Sequence, residues 1–155
     1  MPLRLSDALR IECLAWPQAE QWAAPIRIEV FVNEQGVPAH LELDGTDADC
    51  THVLAFDRDD QAIATARLMP DGRIGRMAVR RAWRGQGVGS ALLHALLEQA
   101  ARQGMPRVYL HAQRQACGFY ARHGFVQDGA EYLEAGIPHR TMALELPDTP
   151  VGRGG

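Results

Sequence analysis

Residues 76–100 read RMAVRRAWRGQGVGSALLHALLEQA. The stretch opens with a strand pattern and closes with a helix pattern. Between them, Arg84 is followed by Gly85, Gln86, Gly87, Val88 and Gly89, three glycines in alternate positions. Glycine lets a chain turn where φ must be positive and lets the backbone come close to a ligand. A helix that starts between Gly87 and Ser90 leaves its first N–H groups without intrahelical partners. Those donors and the positive end of the helix dipole form an anion site, to which Arg84 adds a charge-assisted hydrogen bond. The loop is chemically suited to a pyrophosphate. A Rossmann fingerprint fails at its third glycine, which would fall on Ser90, and a Walker loop needs a lysine that the chain lacks.

Outward from this block, 9–16 (LRIECLAW) reads as a first strand. Residues 17–35 have a helical pattern, with Trp22, Ile26 and Val30 four apart. Residues 36–50 are polar and turn-rich. The runs 51–57 and 61–69 are β-branched and apolar around a short turn, a hairpin signature. The strand at 73–80 then leads into the glycine loop. Residues 89–104 are the clearest helix, with Leu92, Leu93, Leu96, Leu97 and Ala100 on one side and Gly104 as the stop. A strand at 107–113, a short helix at 115–124 and a final strand pair, 125–136 and 139–146, complete the chain. This order predicts an α/β fold with a mixed sheet and helices packed on it. Residues 1–147 form one domain on this reading, and 148–155 a loose tail.

Composition excludes several classes. All 16 basic residues are arginine, so a lysine Schiff base is ruled out. Cys13, Cys50 and Cys117 are far apart, which fits a reducing cytoplasm rather than a disulfide framework or zinc ribbon. No signal peptide or membrane span is expected, and no basic stripe points to nucleic acid. Charge is segregated: Glu29 to Asp60 sums to −8, and Gln61 to Arg84 to +5. Two readings stay open: two solvated faces, or one anion-binding side opposite one cation-attracting side.

The block resembles the GNAT superfamily of acyl-CoA-dependent N-acetyltransferases. Arg84, Gly87 and Gly89 match its [RQ]-x-x-G-x-[GA] pyrophosphate loop. The stretch 113–125 (QRQACGFYARHGF) is similar to its later signature at Ala116, Tyr120, Gly124 and Phe125, with Gln113 where asparagine is commonest. The likeness covers roughly Leu9 to Leu146. The stretches VFVNEQGVP, LELDGTDADCTH, HAQ and GIPH resemble the ElaA-like branch in particular. The resemblance implies a largely antiparallel twisted sheet splayed between strands 4 and 5, with helices on both faces. It also implies acetyl-CoA as cosubstrate, no metal, and direct transfer to an amine, such as that of a small molecule, in a ternary complex. Homodimers built through the last strands are frequent in that family.

Carried onto this chain, the resemblance assigns backbone groups of Met77, Ala78 and Val79 to the acetyl and pantetheine arm. Arg84, Gly85, Gln86, Gly87, Val88, Gly89 and Ser90 fall to the pyrophosphate. Gln113, Ala116 and Phe119 become cofactor contacts, and Arg80, Arg81 and Arg114 candidates for the outer phosphate. Tyr120 matches the general acid that protonates the leaving thiolate. Glu34, His111 and His139 are the candidate bases, and each could equally be structural. Glu42, Asp44, Asp47, Asp49 and His52 could attract a cationic amine or ligate calcium. His40, His94 and His123 read as surface residues, and Cys117 as a buried thiol. Transfer to a protein N-terminus or lysine, and a non-catalytic acyl-CoA-binding module, remain alternatives.

Overall fold

The strand-forming runs divide into two sheets in a computed structural model that describes residues 9–147. β1 (Arg10–Leu14) leads into α1 (Trp16–Arg27), which continues as a π-helical segment, Ile28–Glu34. The short α2 (Ala39–Glu42) precedes β2 (Thr51–Phe56), β3 (Ala62–Leu68) and β4 (Ile74–Val79). Then come α3 (Val88–Arg102), β5 (Arg107–Gln113), α4 (Cys117–Arg122), β6 (Val126–Gln127), β7 (Tyr132–Glu134) and β8 (Ile137–Glu145). The loose tail expected at 148–155 lies outside the described residues. No helix among the described residues is long and apolar enough to cross a membrane.

The first sheet has the order β1-β2-β3-β4, antiparallel throughout; the second has β5-β8-β6, with β7 also paired to β8. β2 and β3 are buried along almost their whole length because both faces are covered. On β2, Val53 and Ala55 join the core under α3, whereas Leu54 and Phe56 join Ala19, Ala23 and Ile26 of α1. The period of two thus sends alternate residues to opposite helix layers. Leu92, Leu93, Leu96 and Ala100 of α3 are fully buried, and Leu97 partly.

Two sequence expectations change. The run 125–136 is not one strand: residues 128–131 interrupt it, and β6 and β7 pair separately with β8, Val126 opposite Ala143 and Tyr132 opposite His139. The helix expected over 17–35 widens to π geometry after Pro25, which lacks the N–H needed for a normal helical bond.

The sheets meet at one point. Arg73 and Tyr109 form an isolated parallel bridge, and Tyr109 N–H donates to Gly72 O at 3.0 Å. Beyond that point β4 and β5 belong to separate sheets and the fold opens between them. Close to the opening, β4 is bulged. Its register on β3 passes from Thr65–Ala78 to Arg67–Gly75, and Arg76 has a φ of 49°. A left-handed arginine is strained, and its side chain supplies compensation: Nη2 donates to the carbonyls of Leu41 and Glu42, both at 3.1 Å.

Candidate active site

The splay forms an open cavity of about 560 Å³. Met77 of the bulge, Gln113, Ala116, Tyr120, His111 and His139 all line it. Phe31, Val37, Leu41 and Ile137 add apolar wall. Four separately predicted segments thus reach one space: the bulged strand, β5, α4 and the last hairpin.

Beside the cavity stands the glycine loop. Gly87 caps α3 with φ 88°, and Ala91 N–H is the helical donor that bonds back to its carbonyl, at 3.1 Å. The N–H groups of Val88, Gly89 and Ser90 therefore precede the helical ladder. A Cβ on Gly89 would lie 3.6 Å from the Phe119 ring and 3.9 Å from Met77 Sδ, so the loop backs directly onto the cavity wall. Arg84 Nε donates to Val79 O at 2.9 Å, tying the loop to the end of β4. Arg84 Nη2 lies 2.5 Å from Glu34 Oε1. Gln86 donates to Ala82 O, and Ser90 Oγ pairs with His123 Nε2 at 3.1 Å. His123 is thus half-buried rather than a plain surface residue. Arg114 is held by Glu131 through two bonds.

Tyr120 packs edge-on against Phe119 and Phe125 at centroid distances of 5.0 and 5.8 Å. Its hydroxyl has no hydrogen-bond partner among the described residues. Burial, and to a lesser degree nearby Cys117, pushes the phenol pKa above its ordinary value, so the group stays protonated at neutral pH.

The two candidate histidines come together around a residue that the sequence did not single out. Glu134 Oε1 lies 3.2 Å from His111 Nδ1, and Glu134 Oε2 lies 3.5 Å from His139 Nε2. His139 Nδ1 donates to Ile137 O at 2.8 Å, which leaves Nε2 as the lone-pair nitrogen of the neutral ring. Tyr132 stacks on His139 at 6.1 Å. Arg73 Nη2 reaches His111 Nδ1 at 3.3 Å. The signal for Glu134 was the Ala135–Gly136 turn. Both turn residues have positive φ, as a type I′ hairpin requires. That hairpin sets Glu134 opposite Ile137, and Tyr132 opposite His139. Glu34, in contrast, does not line the cavity; it sits at the glycine loop.

Glu42, Asp44 and Asp47 of the acidic segment are already neutralised by arginines rather than free to attract a cation. Arg27 bonds Glu42 and, at 2.8 Å, Asp47. Arg67 bonds Asp44 at 2.6 Å and Asp47 at 3.0 Å, and Arg76 reaches Asp44 at 3.2 Å. Part of the charge segregated along the chain thus pairs in space, in a largely buried network that pins residues 39–49 against β3 and β4. Arg67 hydrogen bonding, ahead of any other cause, holds the Asp44 carboxyl below its usual range. Burial works against ionisation of Asp47, yet Arg27 and Arg67 outweigh it and hold its pKa low. His52 is buried with Nε2 2.9 Å from Asp47 O, and burial lowers its pKa. Among the described residues no three His, Cys, Asp or Glu side chains group as metal ligands.

Comparison with known proteins agrees with this fold. The acetyltransferase (GNAT) domain family matches residues 17–146. The uncharacterized N-acetyltransferase YjcF of Bacillus subtilis is 39% identical over 120 residues, spanning 76% of this chain and 86% of that one. The crystal structure of an acyl-CoA N-acyltransferase from Pseudomonas aeruginosa superposes with a TM-score of 0.79 at 36% identity, covering 88% of this chain and 99% of that one. Escherichia coli ElaA superposes with a TM-score of 0.79 at 32% identity, with the same coverage.

Proposed function

The chain belongs to the GNAT acetyltransferase family of acyl-CoA-dependent N-acetyltransferases, and from that premise we propose that it transfers an acetyl group from acetyl-CoA to the primary amine of a small molecule, in a ternary complex. The observation that carries this reading is the convergence of Met77, Tyr120 and His139 on one cavity in the opening between β4 and β5.

The free N–H groups at the start of α3, with Arg84, hold the pyrophosphate. The backbone of Met77, Ala78 and Val79 carries the pantetheine arm and presents an N–H to the thioester oxygen, where negative charge develops. The amine nitrogen attacks the thioester carbonyl carbon. His139 Nε2 takes the proton that the amine gives up, with the Glu134 carboxylate 3.5 Å away beside it. The carbon–sulfur bond then breaks, and Tyr120 gives its phenolic proton to the departing thiolate. His139 is preferred to His111 because the Ile137 carbonyl fixes its tautomer with the lone pair on Nε2. Glu34 restrains Arg84 rather than acting as base.

Three free cysteines support a reducing cytoplasmic location. Exposed Val126 and Leu133, on strands β6 and β7, support a homodimer built through the last strands.

The test is to incubate the protein with acetyl-CoA and a panel of primary amines, following release of the free CoA thiol and the mass of each amine. Acetylated amine, formed by the wild type and lost in His139→Ala, is the expected result. A folded wild type that binds acetyl-CoA but acetylates no amine would overturn the reading.

A further inference from the structure

The charged groups lining the cavity can be sorted by what already satisfies them. Glu42, Asp44, Arg67 and Arg76 belong to the buried network and pair with one another or with Arg27 and Asp47. Two charged side chains of the cavity wall remain outside it. Arg73 makes no ion pair among the described residues; its guanidinium reaches only His111 Nδ1, at 3.3 Å. The neighbouring Asp71 is occupied by the Tyr109 hydroxyl and by the Arg73 backbone amide. Glu134 has no arginine partner and faces only the two histidines. Arg73 and Glu134 therefore both reach the same nitrogen of His111, one cation and one anion with no ion-pair partner of the opposite sign from Arg, Asp or Glu among the described residues.

We infer that the acceptor is a small zwitterion, an α-amino acid with an apolar side chain, whose carboxylate binds Arg73 and whose ammonium binds Glu134 beside His139. This inference rests on the transferase reading and narrows its substrate. A guanidinium presents paired N–H donors that match a carboxylate, which an uncharged ligand group would leave unsatisfied. Glu134 Oε2 and the lone-pair nitrogen Nε2 of His139 are both acceptors and lie 3.5 Å apart, an arrangement that an ammonium donating to both completes. The ammonium is thereby held against the nitrogen proposed to deprotonate it. Phe31, Val37, Leu41 and Ile137 supply an apolar wall for the side chain. A protein N-terminus offers the ammonium but carries an amide where the carboxylate would be, so Arg73 would go unmatched.

The experiment compares matched acceptors: L-leucine with isopentylamine and L-leucinamide, and L-phenylalanine with phenethylamine. Each is assayed for acetyl transfer by wild type, Arg73→Gln and Arg73→Lys, with acetyl-CoA binding measured in parallel. The expected wild-type preference, as kcat/KM, is at least about tenfold for the carboxylated member of each set. Arg73→Gln should collapse that ratio through KM for the amino acid, and Arg73→Lys should retain part of it. A purely structural role for Arg73 would lower activity toward all acceptors alike and leave the ratio intact, which would overturn the inference. A wild type that binds acetyl-CoA and prefers the decarboxylated amines also overturns it, while leaving the transferase reading standing. A wild type that binds no acetyl-CoA overturns both.

Discussion

Glu34 Oε1 lies 2.5 Å from Arg84 Nη2, so the last residue of the π-helical segment holds the arginine of the glycine loop. An incoming pyrophosphate must compete with this carboxylate for the guanidinium. Both side chains are partly exposed, and such pairs contribute about 0–1 kcal/mol. Glu34→Gln is therefore expected to tighten acetyl-CoA binding by up to about fivefold, read by calorimetry. Its kcat should change little. A kcat loss of about a hundredfold or more would instead identify Glu34 as the base.

Tyr120→Phe keeps the ring packing against Phe119 and Phe125 and removes only the proton donor. In the proposed mechanism kcat falls by roughly 10²–10⁴, while the dissociation constant of acetyl-CoA holds. Because burial raises the phenol pKa, the wild-type rate should decline only at strongly alkaline pH, and the variant should lack that limb. Equal kcat in the two proteins would remove Tyr120 from the chemistry.

Asp44 is held below the usual carboxylate range by Arg67. A depressed folded pKa stabilises the protein fully above the unfolded value, about 3.9, and the stabilisation is lost as pH falls through the folded pKa. The stability gap between wild type and Asp44→Asn should thus be constant above about pH 5 and shrink below about pH 4. Urea midpoints across that range measure it, and a gap that widened on acidification would contradict the paired geometry.

Two glycines with similar backbone angles should respond differently to alanine. Gly72 has φ 97°, and a Cβ there would sit 2.7 Å from Arg107 O, at the junction of the sheets. Gly87 has φ 88° but open space around it. Left-handed strain alone costs roughly 1–2 kcal/mol, and crowding against backbone adds about 1–3. Gly72→Ala should therefore lose about 2–5 kcal/mol by urea unfolding and Gly87→Ala only about 1–2. Equal losses would mean that the junction yields to a methyl group.

Much of this architecture was legible because it is local. The alternate glycines after Arg84, the leucine stripe of α3, and the hairpin of β2 and β3 each declare themselves within about twenty residues. The splay and the site assignments came through motif likeness rather than periodicity. What stayed hidden depends on contacts distant in sequence. Arg27 finds Asp47, and Arg67 finds Asp44, across separations of 20 and 23 residues, which no pattern of charge along the chain encodes. The bulge at Arg76 is a matter of register between two strands, and RIGRMAV reads as an ordinary strand without its partner. Glu134 was within reach, since recognising EAGI as a type I′ turn would have placed it on the hairpin shared with His139. Arg73 looked like one more arginine in a basic run until the structure showed its neighbours already paired.

Whether the glycine loop holds CoA is decided by calorimetric titration of acetyl-CoA into the wild type and into Arg84→Glu, with thermal melts to establish that both are folded. The expected result is micromolar binding by the wild type, a free energy of roughly −8 kcal/mol, that disappears when the loop charge is reversed. Absence of binding to a folded wild type, or equal binding by the variant, would contradict it.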